Sequence, residues 1–375
     1  MSLAIYRKYR PKTFEDLLGQ SHIVNVLKNA ARQDKLAHAY LFYGPRGTGK
    51  TTAARLIAKI ANCATRHNNK KFKETGEPCN ACSRCSEIDT GKALDVVEID
   101  AASNTGVDNI RDLQEGIKLS PTSYPYKVFI IDEVHMLSKS AFNALLKTLE
   151  EPPAHAIFVL ATTEFEKVLP TIVSRTQKFH FRKLDINEIA QKLKKIVSAE
   201  KMSVSSEAIE LIASIAEGSL RDAESLLDQV TTLDEKVDEK TVEQVLGQVS
   251  FSRTAKLAEI ILKSDLKGSL EYIAEINEGG YNVVDLTKEL IRYFRRALGL
   301  KFDERLETIF KKELTAEELN QLKKHSQLIN PDKHIKLLQT LIRGYSEMRY
   351  SPFASIPLEI AIIESLRNAT EPRLD

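Results

Sequence analysis

The sequence has no run of about 18 apolar residues, so no membrane-spanning helix is expected. Its start, MSLAIYRKYRPKTF, lacks the apolar core that a secretory signal needs, so none is expected there either. Net charge is almost absent: 54 Lys and Arg against 52 Asp and Glu leave +2. A global field is thereby excluded as the means of holding nucleic acid, and any such contact must come from local basic clusters. There is no internal repeat and no low-complexity linker. Cysteine is scarce, with four in 375 residues. With no signal segment, so few cysteines point to a reducing compartment and to metal binding rather than disulfides.

What is present is an ordinary globular composition, 42% apolar and 28% charged, in a chain long enough for two or three domains. Up to about residue 181, short apolar runs alternate with helical patterns. AYLFY (39–43), DVVEID (95–100), KVFIID (127–132) and AIFVLAT (156–162) suit strands buried on both faces of a parallel sheet, and KFHF (178–181) suits a fifth. The expected class is α/β for residues 1–181. From 182 the strand signals stop. INEIAQKLKKIVSAEK, SSEAIELIASIAEG and SLRDAESLLDQVTTL read as a small helical domain over 182–246, with serines of MSVSS as helix caps. Residues 247–375 read as a further all-helical domain, punctuated by Gly279–Gly280 and by prolines 331, 352 and 357.

GPRGTGKT (44–51) fits G-x-x-x-x-G-K-[ST] between a strand and the helical GKTTAARLIAKIAN. In such a loop, Gly44, Gly47 and Gly49 let backbone N–H groups wrap phosphates at a helix N-terminus, and Pro45, Arg46, Thr48 and Thr52 belong to the same binding segment. Lys50 reaches the β- and γ-phosphates, and the Thr51 hydroxyl is a Mg²⁺ ligand. VFIIDEVHML places Asp132 and Glu133 at the C-terminal end of a buried strand, where open α/β sheets bind ligands. Asp132 is the candidate to hold Mg²⁺ through water, and Glu133 to polarise an attacking water. His135 receives no role. A threonine ending the fourth strand, Arg175 in SRT and Arg221 in GSLRDAESLLDQ are weak candidates on pattern alone.

Cys79, Cys82 and Cys85 form C-x-x-C-x-x-C, and Cys63 stands sixteen residues before the first. The spacing suits one tetrahedral structural Zn²⁺ with no open coordination position. An iron–sulfur cluster or free thiols are the alternatives, and His67 is a substitute ligand. The intervening RHNNKKFKETGEP is too polar for a core of its own, which a metal staple would remedy.

Together, YRKYRPKTFEDLLGQ, the phosphate loop, the four-cysteine insert (about 63–90), EIDAASN, IDEVHMLSKSAFNALLKTLEEPP, LATTE, SRTQKFHF and GSLRDAESLLDQ resemble one family. It is the gamma/tau ATPase subunits of the bacterial DNA polymerase III clamp loader, members of the AAA+ superfamily. The resemblance is strongest over residues 4–246. It implies an AAA+ domain with a five-stranded parallel sheet, a helical lid and a helical collar that oligomerises.

The same resemblance raises the weak candidates. Thr163 matches sensor 1, with Thr162 its neighbour, and Arg221 matches sensor 2. Arg175 matches the arginine finger that acts on ATP in the adjacent subunit, although Thr176 stands where the family's motif has cysteine. Tyr6, Arg10, Pro11 and Leu18 match the adenine-side wall. The segment 103–111 and Lys147 match the DNA-tracking surface. Asn104 and Gly106 replace basic residues of relatives, which leaves Arg111 and Lys147 as the DNA candidates. Phe142, Leu145, Leu146 and Leu149 share one helix face and belong mostly to the core, while Leu137 and Ser138 match the clamp-facing tip.

The implied ligands are ATP, Mg²⁺ and structural Zn²⁺. The implied partners are delta-type and delta-prime-type subunits, further copies of this chain in a ring, the sliding clamp and primer–template DNA through its backbone. The implied setting is the bacterial cytoplasm, at the nucleoid during replication. The implied action is ATP-driven loading of the clamp, with hydrolysis triggered by DNA. A helicase-type AAA+ motor and a non-catalytic scaffold subunit are the competing readings.

Overall fold

The computed structural model describes residues 3–103, 116–117, 119–233, 236–247, 249–311 and 313–367. They fall into two units: 3–184 with 218–222, and 185–217 with the residues from 223 onward. Arg111, Asn104 and Gly106 lie outside the described residues.

The first unit is built on five parallel strands, β1 (Ala39–Tyr43), β2 (Val96–Asp100), β3 (Lys127–Asp132), β4 (Ala156–Thr162) and β5 (Gln177–His180), in the spatial order β2-β3-β4-β1-β5. The α/β class expected from the alternating runs is therefore what the chain adopts. Each central strand is buried on both faces, which is why its sequence is almost continuously apolar. Tyr40, Phe42, Val128, Ile130 and Val159 pack on one side with Leu56, Ile57 and Ile60 of the helix Lys50–Asn62. Ala39, Leu41, Phe129, Ile131, Phe158 and Leu160 face the other side, against Phe142, Leu145 and Leu149 of the helix Lys139–Glu150.

Parallel register sets the ends of the strands side by side. Tyr43 of β1 pairs with Thr162 of β4, and Asp100 of β2 pairs with Asp132 of β3. The segments that leave β1, β3 and β4 thus emerge along one edge, the place where open parallel sheets bind ligands.

The second unit is helical, with one departure from the sequence expectation. Ser203–Val204 and Lys236–Val237 form a two-residue parallel pair, too short to leave an apolar run. Side-chain caps begin its helices: Ser205 accepts from the Ala208 N–H, Asp238 from Thr241, Asn282 from Val284 and Asp285, and Asn330 from Lys333. From Phe251 to Arg367 the helices share a core that includes Leu257, Ile273, Leu290, Phe294, Leu341 and Ile362. No described helix is long and apolar enough to cross a membrane.

Candidate nucleotide and metal sites

The loop after β1 makes a tight cradle. The Gly44 N–H donates to Thr162 O at 3.2 Å, tying the loop's first residue to the end of β4. Gly44, Gly47 and Gly49 all have positive φ, at 139°, 72° and 100°. At the first two, a side chain is also blocked by neighbours. A Cβ on Gly44 would stand 2.1 Å from Phe181 O, and one on Gly47 would stand 1.8 Å from Ser219 Oγ. Glycine is required because the backbone turns left-handed where other chain segments press on it. Inside the cradle, Thr48 Oγ1 donates to Pro45 O at 2.9 Å, and Lys50 Nζ donates to Gly44 O and Pro45 O, each at 2.8 Å. Pro45 and Arg46 complete the loop, and Thr52 lies in the first turn of the helix it opens.

Lys50 is 6% exposed. Burial lowers its pKa, and the carboxylates of Glu133 and Asp132 oppose that shift. The Thr51 hydroxyl donates to Asp132 Oδ2 at 2.6 Å, so the two Mg²⁺ candidates, from different motifs, already meet. That pairing of a hydroxyl and a carboxylate is a hard oxygen donor set suited to Mg²⁺.

Glu133 holds φ 47°, a left-handed backbone that turns its side chain away from the direction of β3. Its Oε2 accepts from Thr163 N at 3.1 Å and Thr163 Oγ1 at 2.8 Å. The hydroxyl beside the candidate base is therefore that of Thr163. Its neighbour Thr162 is fully buried, with Oγ1 2.9 Å from His135 Nδ1. His135 stands between Glu133, at 3.4 Å, and Glu164, at 3.2 Å. Sequence reasoning gave this histidine no role, because a single imidazole after an acidic pair carries no motif of its own.

The remaining candidates separate by location. The Arg221 guanidinium lies 5.1 Å from the centre of the Tyr6 ring, a cation–π contact between two residues matched to different parts of the ATP pocket. Arg10 is half-buried; burial lowers its pKa, and Arg55 and Arg221 push the same way. Glu98, which pairs with Arg55, opposes them and balances part of this positive charge. Pro11 and Leu18 are partly buried in the same N-terminal segment. The fully buried Gln20 pins that segment to the chain after β5 through paired hydrogen bonds with Arg182, at 2.8 and 3.1 Å.

Arg175 donates to Glu150 Oε1 and to Thr171 O, both at 2.8 Å, on the surface of its own unit. Lys147 is exposed on the helix Lys139–Glu150. Leu137, matched by resemblance to an exposed tip, is instead 5% exposed and belongs to the core; the exposed apolar residue there is Met136. Ser138 is the cap of that helix and accepts from the Ala141 N–H.

The four cysteines converge. Cys63 directly follows the helix Lys50–Asn62, Cys82 caps the helix Ser83–Thr90, and Cys85 lies in its first turn. All four sulfurs lie within 4.8 Å of one another. Tetrahedral zinc with Zn–S near 2.3 Å needs sulfurs just under about 4 Å apart, and Cys79 and Cys85 already stand at 4.0 Å. The Cys79 sulfur accepts from the Cys82 N–H at 3.3 Å, support that a thiolate requires. The contact between Cys63 and Cys85 lowers the Cys63 thiol and raises that of Cys85. The cluster can hold zinc. His67 is not part of it, since its Nε2 is 2.8 Å from Ala61 O.

Three family models match successive parts of the chain. Residues 19–185 match a family described as DNA polymerase III, delta subunit. Residues 188–233 match the ATPase lid domain of a DNA polymerase III clamp loader subunit, and 237–373 match domain III of DNA polymerase III subunits gamma and tau. The chain is 42% identical over 375 residues to the DNA polymerase III subunit tau of Bacillus subtilis, covering 99% of itself and 64% of that protein. It is 37% identical to the tau subunit of Escherichia coli, covering 98% of itself and 55% of that protein. It therefore spans between about half and two-thirds of these tau relatives. It is 33% identical to the DNA polymerase III subunit gamma of Buchnera aphidicola (subsp. Baizongia pistaciae), covering 98% of itself and 97% of that protein.

Among solved structures, the Thermotoga maritima RuvB Holliday junction branch migration motor aligns at TM-score 0.46 and 19% identity over 68% of this chain and 79% of that one. The Bacillus subtilis clamp loader delta protein aligns at TM-score 0.40 and 12% identity over 92% and 99%. Those structural likenesses are too distant to carry the assignment, which rests on the sequence relatives. Matched over 98% of its length by a gamma subunit and over 98% and 99% by tau subunits, the chain belongs to the gamma/tau family of DNA polymerase III clamp loader subunits.

Proposed function

We propose that this chain is an ATPase subunit that loads the sliding clamp onto primer–template DNA. The observation that carries the reading is the meeting of Thr51 with Asp132 at 2.6 Å, beside a buried Lys50 and a Glu133 held by Thr163. In this reading Lys50 leaves its two loop carbonyls to bind the β- and γ-phosphates, and the Gly44–Gly49 backbone supplies N–H donors around them. Thr51 and Asp132 would hold Mg²⁺, which when bound neutralises developing phosphate charge. Glu133 orients the attacking water, and Thr163 holds that carboxylate in place by two hydrogen bonds. Tyr6, Arg10, Pro11 and Leu18 wall the adenine side, and Arg221 reaches the phosphates from beside Tyr6.

Arg175 would leave Glu150 to act on ATP bound by a neighbouring subunit, which makes hydrolysis a property of the ring. Delta-type and delta-prime-type subunits, further copies of this chain, the clamp and the DNA backbone are the partners of that ring, with Arg111 and Lys147 as DNA contacts. The family matches at 188–233 and 237–373 support a lid followed by a collar domain, with the collar match beginning at residue 237, ahead of the boundary near 246 expected from the helical pattern. The cysteine cluster would carry a closed, structural zinc.

The test is nucleotide binding and hydrolysis, measured on the chain alone and on the reconstituted loader with clamp and primed DNA. Lys50→Ala should abolish nucleotide binding in both. Arg175→Ala should leave binding by the isolated chain intact while DNA-stimulated hydrolysis falls about 10³-fold or more. DNA-stimulated hydrolysis that survives either change removes the assigned roles.

A further inference from the structure

The four-cysteine insert touches the nucleotide-binding unit at a place that metal binding does not explain. Glu77, two residues before Cys79, reaches out of the insert to a tight turn near the N-terminus. Its Oε2 accepts from the Phe14 N–H at 2.8 Å, and its Oε1 accepts from the Glu15 N–H at 3.2 Å. Its Oε1 also stands 3.1 Å from Lys28 Nζ, in an ion pair where both side chains are close to 10% exposed. The approach is close: a Cβ on Gly76, whose φ is 69°, would stand 2.8 Å from Lys28 O.

The turn so held leads directly into Leu18 of the proposed adenine wall. Leu17 N donates to Phe14 O at 3.1 Å and closes the turn, while Asp16 accepts from Thr13 N and Oγ1 at 3.1 and 2.6 Å. Phe14 and Leu17 are buried in the core beneath it. Leu17 Cδ2 lies where a Cβ on Gly49 would be 3.3 Å away, so the turn rests on the last glycine of the phosphate loop. Leu18, a wall candidate, is the next residue.

We infer that Glu77 is a positioning residue for the nucleotide site: the metal-stapled insert uses its carboxylate to hold the 14–17 turn, and with it the adenine-side wall, against the phosphate loop. The physical reason is accounting of polar groups. The turn presents two N–H donors and a nearly buried ammonium in one spot, and one ionised carboxylate satisfies all three by charge-assisted bonds. Remove it, and the part-buried Phe14 N–H loses its acceptor, the exposed Glu15 N–H turns to water, and Lys28 keeps only Glu15. The turn then spends part of its time out of place, and nucleotide affinity falls by the fraction of molecules in which it is formed. The inference rests on the proposed nucleotide site.

The experiment compares wild type, Lys50→Ala and Glu77→Gln in the full chain. Binding of mant-ADP and mant-GDP with Mg²⁺ is followed by fluorescence, zinc by mass spectrometry, and amide exchange at residues 14–17. Glu77→Gln should keep its zinc, bind mant-ADP about tenfold more weakly, narrow the preference for mant-ADP over mant-GDP, and exchange faster at 14–17. A merely destabilised chain would lose affinity for both nucleotides alike, and that result overturns the inference, as does unchanged binding. If wild type fails to bind, or Lys50→Ala binds as well as wild type, the nucleotide-site reading itself fails first. Should Glu77→Gln not fold, wild type stripped of zinc by a chelator gives the answer: faster exchange at 14–17 supports the inference, and unchanged protection there overturns it.

Discussion

Gly47 cannot accept a methyl group. Its φ is 72°, and the added carbon would sit 1.8 Å from Ser219 Oγ. Gly47→Ala should therefore destabilise the first unit by about 1–3 kcal/mol from overpacking alone and abolish nucleotide binding. Adding Ser219→Gly should recover part of the stability, because it removes the clash and leaves the strained φ. Thermal melts of the two variants check this, and equal melting temperatures would refute the contact. The glycine was legible in the sequence because its motif is local. Ser219 was not, because the residue that presses on the loop comes from the far end of the unit and has no spacing to betray it. Thr163 was legible only through resemblance; the structure adds that its hydroxyl and N–H both meet Glu133. His135 had no signal at all, since its neighbours Thr162 and Glu164 lie on another strand's end.

At the scale of elements, the helix Lys50–Asn62 joins two chemistries. Its N-terminus opens the phosphate loop, and its last residue precedes Cys63. Near that end, the fully buried Lys59 pairs with Asp89 and donates to Asn80 Oδ1 at 2.9 Å, both residues of the insert. A buried lysine left without its partners is costly, so the insert must fold for the helix end to be stable. Cys82→Ser should release zinc, because three thiolates no longer close a tetrahedral site. Mass spectrometry of the purified chain checks the metal, and amide exchange should show loosening centred on residues 63–90 and the end of this helix. The elements themselves were largely legible. β1, β3 and β4 match their apolar runs residue for residue, because burial on both faces confines the polar Lys127, Asp132 and Thr162 to the strand ends. The pair Ser203–Val204 and Lys236–Val237 was missed because two residues cannot show a period.

For the molecule as a whole, acid should act unevenly on the two units. His325 and His334 are buried in the helical unit, where His325 Nδ1 is 2.6 Å from the Tyr293 hydroxyl and His334 stacks on Phe294. Burial lowers both pKa values below 6.5; at His325 Glu259 opposes this and Lys263 reinforces it, while at His334 the Asn330 backbone opposes and Lys333 reinforces. The unfolded chain therefore binds more protons than the folded one just below 6.5, and stability rises with pH there. The contribution is complete above the unfolded value and is lost as pH falls through it. Amide exchange at pH 7.5 and 5.5 should show the helix Pro331–Glu347 opening more readily in acid, and equal protection would remove the argument; in Val283–Phe302 burial raises Asp285 and Glu289, which works the other way. The contact between Gly47 and Ser219 also sets a timetable. A chain emerging from the ribosome makes its phosphate loop early, but the serine that packs on it and the arginine that stacks on Tyr6 follow only after the rest of the sheet and the helices up to Ser206–Ile215 have been synthesised. At about 5–20 residues per second, the pocket waits roughly 10–30 seconds for its last wall, and a nascent chain cut before residue 219 should carry the motif without the site.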